Sequence, residues 1–191
     1  AGAATMMDLE QLEVFRGPQG TIYGANALAG LISLKSKQPT ENTEGNVLVS
    51  AGRFDTSSVA AAVGGSLTDH ASYRLAVLKH ESDGFIENEF LHRDDTNDID
   101  EQSMRAILKW HATDVLTSKI TLFITEVDNG YDAFSLDNTR FTLSDKPGHD
   151  RQGSDALAID SKWTKKENYD LFVILNYAQT DSEYGYDEDW A

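Results

Sequence analysis

From residue 44 onward, apolar and polar residues alternate with a period of two, the strand period. Seven segments carry the pattern, at 44–53, 56–67, 71–82, 102–112, 115–127, 155–164 and 168–180. In the fourth, Met104, Ala106, Leu108 and Trp110 fall on one face and Arg105, Lys109 and His111 on the other, with Ile107 out of place. In the seventh, Tyr169, Leu171, Val173, Leu175 and Tyr177 form one face with a tyrosine at either end. Eight residues of tilted strand between such rings cover roughly 20 Å, near the height of the apolar band of a membrane barrel. A sandwich strand with two rim tyrosines has the same pattern.

The connections separate these alternatives better. Residues 53–56, 68–70, 112–114 and 165–168 read as tight turns, whereas 83–101 and 128–154 read as long loops. From the second connection onward, short and long alternate. Consecutive antiparallel strands end at opposite rims, so the long loops share one rim and the short turns the other. Outer-membrane barrels are built with this asymmetry.

Composition narrows the classes. Sixteen Lys and Arg against 32 Asp and Glu give a net charge of −16, which repels phosphate backbones and argues against a nucleic-acid partner. The chain has no cysteine, which excludes disulfides and thiolate metal sites. No apolar run reaches the roughly 20 residues of a spanning helix, though strands can still cross. No signal peptide is visible, and "AGAATMMDLE" and "YDEDWA" are unconvincing domain ends, so the chain is expected to be a fragment.

The stretch "LEQLEVFRGPQGTIYGANALAGLISLKSKQP" reads as strand, Gly-Pro turn, aromatic-Gly turn and second strand. Gly17-Pro18 ends the first strand, because proline cannot donate to a ladder. Gly20 and Gly24 are expected at angles or close approaches that a side chain would block. "ALAGLISL" is apolar on both faces, as a strand enclosed in a lumen should be. A phosphate loop would need the Gly-Lys-Ser/Thr that "GPQGTIYG" lacks.

This stretch resembles the end of the plug domain of the TonB-dependent outer-membrane receptors, which carry "IEVLRGP", "LYG" and "AxGGVINIxTK". Glu13, Arg16, Gly17, Pro18, Tyr23, Gly24, Asn26, Ala27, Gly30, Ile32 and Lys37 fit; Ala29, Ser33 and Leu34 depart mildly. "DGF" at 83–85 and "YDAFSLDN" at 131–138 are also similar to receptor segments. The resemblance implies an all-β chain: the C-terminal part of a plug over 1–40, then the first seven or so strands of a 22-stranded transmembrane barrel over 41–191.

It also implies a role for Arg16, similar to a plug arginine that pairs with carboxylates of the inner wall. Glu13 is read as sharing its strand face and as its partner within the plug. Gly17, Pro18, Gly20, Tyr23 and Gly24 form the plug turn. Tyr131, Asp132, Phe134, Asp137 and Arg140, with Phe141 and His149 nearby, are candidates for ligand contact from an outer loop, or for packing of that loop. Tyr184, Tyr186 and Trp190 pose the same choice. Asp94, Asp95, Asp98 and Asp100 offer oxygens to Ca²⁺ but fit no template, and a solvated acidic loop is the plainer reading.

The five histidines are scattered and no nucleophile motif is present, so an enzyme is not expected. No cofactor is expected beyond that Ca²⁺ candidate. The resemblance implies uptake of a scarce nutrient complex across the outer membrane of a Gram-negative bacterium, iron–siderophore first and cobalamin second. The implied partners are the nutrient complex, outer-membrane lipid and the TonB system, whose contact segment is expected to lie ahead of residue 1. The rival is a soluble all-β binding domain with acidic, Ca²⁺-binding loops.

Overall fold

The computed structural model describes residues 6–24, 27–135, 137–165 and 169–188. Asn26, the 166–168 turn and Trp190 lie outside the described residues. The chain opens with a hairpin of β1 (Leu9–Arg16) and β2 (Gly30–Ser36), paired antiparallel from Leu9↔Ser36 to Arg16↔Gly30. Where the sequence suggests only turns, the link holds one helical turn, α1 (Gly20–Tyr23). Tyr23 folds back until its ring lies 5.7 Å from that of Phe15. Gly17 and Gly24 adopt φ of 85° and 94°, which glycine accommodates without strain. Gly20 departs from expectation: it has neither a positive φ nor a close neighbour, and nothing in the structure requires glycine there.

Seven long strands follow: β3 (Glu44–Ala51), β4 (Ser57–Thr68), β5 (Ala71–Ser82), β7 (Ile99–Thr113), β8 (Leu116–Tyr131), β10 (Gly148–Lys165) and β11 (Tyr169–Gly185). They form one antiparallel sheet in which each strand pairs with the next along the chain. The seven alternating segments are these seven strands. Four of them run further toward the long-loop rim than alternation indicated, to Ile99, Tyr131, Gly148 and Gly185. Those added turns of strand are polar, as in "DNGY" and "GHDRQG", so they carry no apolar period. Two short strands, β6 (Glu87–Asn88) and β9 (Phe141–Thr142), pair in parallel between the long loops.

The sheet has two unlike faces. One rung of the inner face runs Ala62–Ala76–Arg105–Phe123 across four strands, and the next runs Gly64–Arg74–Ile107–Thr121. The odd residue of the alternation, Ile107, lies buried on this face beside Arg74. On the other face Leu75, Val77, Met104, Leu108, Ile120, Leu122, Ile124, Leu157, Ile159, Leu171, Val173 and Leu175 make an apolar band. Tyr73, Trp110, Trp163 and Tyr169 border that band at the short-turn end, the last two rings 5.7 Å apart. Among the described residues no helix is long and apolar enough to cross a membrane. A band of this kind is what membrane-crossing strands present to lipid.

Candidate functional site

The inner face receives the residues just before the hairpin. Met7 is 5% exposed and packs against Ala62, Ala76, Leu78 and Phe123. The small side chains of β4 at Ala62 and Gly64 leave the room for it and for Arg74, whose Nη1 lies 3.4 Å from where a Cβ on Gly64 would sit. Arg74 is 2% exposed and grips the Asp8 carboxylate with two prongs, Nε to Oδ2 and Nη2 to Oδ1, both 2.6 Å. A planar guanidinium matches a carboxylate in this way, and a lysine cannot. The third nitrogen, Nη1, donates to Glu44 Oε1 at 3.0 Å.

Glu44, the first residue of β3, also takes Lys37 Nζ at 3.3 Å and the Thr40 hydroxyl at 3.3 Å. Arg105 donates from Nη2 to the main-chain carbonyls of Met7 and, at 3.1 Å, Asp8. The Lys37 amide meets the Asp8 carbonyl at 3.0 Å, which ties the two legs of the hairpin together at this point. The hairpin is thus fastened to the sheet by a chain Lys37–Glu44–Arg74–Asp8, with Arg105 beside it. Here the acid stands just before the hairpin and the arginines on the sheet, opposite in sign to the arrangement considered for Arg16. The sequence pattern gave no sign of Asp8. Arg74 and Arg105 were visible only as polar positions on alternating strands.

Arg16, at the other end of β1, is exposed and has no ion pair among the described residues. Glu13 is not its partner: three residues apart on a strand, the two point to opposite faces, and Glu13 accepts from Gln11 Nε2 at 3.0 Å instead.

A second buried polar site joins the outer loops. Asp132 is 4% exposed, and its Oδ2 accepts from Asn88 Nδ2 at 2.8 Å, Thr96 Oγ1 at 2.7 Å and Thr142 Oγ1 at 2.8 Å. Asn88 and Thr142 are almost wholly buried with it. Asp132 therefore ties the loops together and presents no carboxylate outward. Tyr131, Phe134, Tyr184 and Tyr186 lean on one another with ring centroids 5.0 to 5.9 Å apart. Asp137 is exposed. Arg140 pairs with Glu87 at 3.1 Å, lies over the Phe141 ring, and helps line a cleft of about 720 Å³ with Phe54, Asp83, Phe85 and Asp94.

The acids proposed for Ca²⁺ do not converge, and among the described residues no three such side chains do. Three of the four are directed elsewhere. Asp95 pairs with Arg93 at 2.7 Å, and this hydrogen bond holds its carboxyl below the usual range. Asp100 pairs with Lys79. Asp98 accepts from the Gly130 amide at 3.0 Å, and burial raises its carboxyl. Gly130 is glycine for a reason, since a Cβ there would overlap Asp98 and stand 2.6 Å from the Thr96 carbonyl.

No protein-family model matches the chain. The vitamin B12 transporter BtuB of Vibrio vulnificus is 30% identical over 106 residues, 56% of this chain and 17% of that protein. The ferrioxamine receptor of Yersinia enterocolitica is 27% identical over 81 residues, 42% of this chain and 11% of that protein. Among solved structures, the ferric yersiniabactin uptake receptor FyuA from Yersinia pestis superimposes with a TM-score of 0.83 at 18% identity, covering 95% of this chain and 30% of that one. The siderophore receptor PiuA from Acinetobacter baumannii gives 0.72 at 16%, covering 94% and 27%. The chain spans less than a third of each relative, and the shared fold is that of their barrels.

Proposed function

We propose that this chain, which belongs to the TonB-dependent outer-membrane receptors, serves a receptor that actively takes up a scarce nutrient complex. The family is one of transport receptors rather than enzymes, and its members sit in the outer membrane of Gram-negative bacteria. In this reading residues 1–40 supply the end of the plug and 41–191 the first wall strands of a 22-stranded barrel. An iron–siderophore complex is the first candidate substrate and cobalamin the second, following the relatives' names. TonB, working from the inner membrane, would supply the pull that moves the plug.

The observation that carries this reading is the two-faced sheet, apolar outward, with Met7 and Asp8 seated on its inner face. A soluble β domain has no use for exposed Leu171, Val173 and Leu175 on an unpaired edge strand. Arg16 remains a candidate for a further plug contact, made to acids of wall strands outside these seven. The long loops, with Tyr131, Phe134, Asp137 and Arg140, are candidates to meet the substrate from outside.

The test is uptake by cells carrying the complete receptor as their sole route, with labelled iron–siderophore complexes and labelled cobalamin supplied separately. The reading expects energy-dependent accumulation of one of them, abolished when TonB is deleted. Accumulation that persists without TonB, or none of either class, would overturn it.

A further inference from the structure

We propose that Met7 and Asp8 form a mechanical stop: when the plug is pulled, the chain ahead of residue 7 can leave, while the hairpin from Leu9 to Ser36 stays seated. This rests on reading the chain as plug end and wall. The position of the contacts carries it. The side chains that grip the wall stand immediately before β1, not along it. A tension arriving through residue 6 passes from the Asp8 carboxylate into Arg74 of β5, and from two main-chain carbonyls into Arg105 of β7. Both strands are interior members of a seven-stranded ladder.

The hairpin lies off that path. Its far leg is fastened at the same place, by the Lys37 amide to the Asp8 carbonyl and by Lys37 Nζ to Glu44. Asp8, Arg74 and Glu44 therefore close a loop around residues 8–44, and force applied ahead of it does not open it. The contact also suits the load. Its two prongs are short and parallel, Arg74 is 2% exposed, and the Met7 side chain is enclosed beside it, so water does not compete for the pair.

Separate cysteines in the complete receptor, in native outer membranes, test this: one ahead of Met6 and one replacing Ser33 in β2. Labelling by a periplasmic maleimide is followed with and without energised uptake. The forward cysteine is expected to label at least tenfold faster on energising, and Ser33→Cys at its resting rate. In Asp8→Asn, Ser33→Cys should also accelerate by about tenfold, and Arg74→Lys should fall between, because one prong remains. Acceleration of Ser33→Cys with the stop intact, or none in Asp8→Asn when the forward probe responds, would overturn the stop. A forward cysteine that ignores energising would overturn the plug reading itself, and the stop with it. Should Asp8→Asn fail to assemble, Met7→Ala, which keeps the ion pair but empties its enclosure, is read with the same probes and the same expectation.

Discussion

Asp8 and Arg74, 66 residues apart in sequence, share two parallel hydrogen bonds of 2.6 Å in a site that excludes water from both. Removing the acid leaves the guanidinium buried without its carboxylate. Breaking one partner of such a buried pair costs about 3–5 kcal/mol. In the complete receptor Asp8→Ala should therefore raise amide exchange across Leu9–Ser36, with the β4–β8 ladder unchanged. Unaltered exchange in the hairpin would show that the linker alone holds it.

Arg16 offers the contrast. It is exposed and has no ion pair among the described residues, so a partner would come from elsewhere in the receptor. Arg16→Ala is expected to speed exchange in the hairpin less than Asp8→Ala does, and Arg16→Lys should restore only part of the effect. An equal or larger effect would make Arg16 the principal latch.

Asp132 joins two loops through three neutral donors. Asp132→Ala leaves one N–H of the Asn88 amide, which keeps its bond to the Ser144 carbonyl, and two threonine hydroxyls without their acceptor, at a cost of about 1–3 kcal/mol for a buried group left unpaired. Both loops, 83–98 and 132–147, should lose exchange protection together while the strands below keep theirs. Loss confined to one loop would refute the joint role.

Asp95 and Asp98 should titrate in opposite directions from the ordinary aspartate value of about 3.9. The Arg93 hydrogen bond lowers Asp95, so its contribution to loop stability is present above the unfolded value and lost as pH falls through the lowered one. Burial raises Asp98, so its contribution is full below the unfolded value and lost as pH rises through the raised one. Carboxyl-carbon NMR of selectively labelled loops checks both signs.

The outward band predicts a sidedness. Val173→Arg, on the apolar face, should cost about 2–4 kcal/mol near the bilayer midplane. Asn176→Arg, on the inner face of the same strand, should cost far less. Urea titration of the receptor refolded into vesicles compares the two, and equal costs would reverse the assignment of faces.

Much of this was legible in the sequence. Alternation located all seven strands because a sheet with one lipid face must place an apolar side chain at every second position. It failed beyond residues 102, 127, 155 and 180, where four strands continue past the apolar band to Ile99, Tyr131, Gly148 and Gly185 through largely polar sequence. The site was less legible. Arg16 drew attention because its neighbours form a dense local motif, whereas Asp8 and Arg74 meet only after the hairpin folds onto β5. No spacing rule encodes that meeting. The Asp132 hub was hidden likewise, because its donors come from both loops. Glu13 was misassigned through simple strand geometry, three residues being an odd step.

Around Asp132 the two loops also depend on each other for their length and shape. Asn88 and Thr96 on one loop serve a carboxylate on the other, so neither loop can lengthen, shorten or be exchanged between receptors without the matching piece. Phe85, Phe90 and Asp137 stand exposed and take no part in the hub. Substitution at those exposed positions leaves the hydrogen bonds to Asp132 intact.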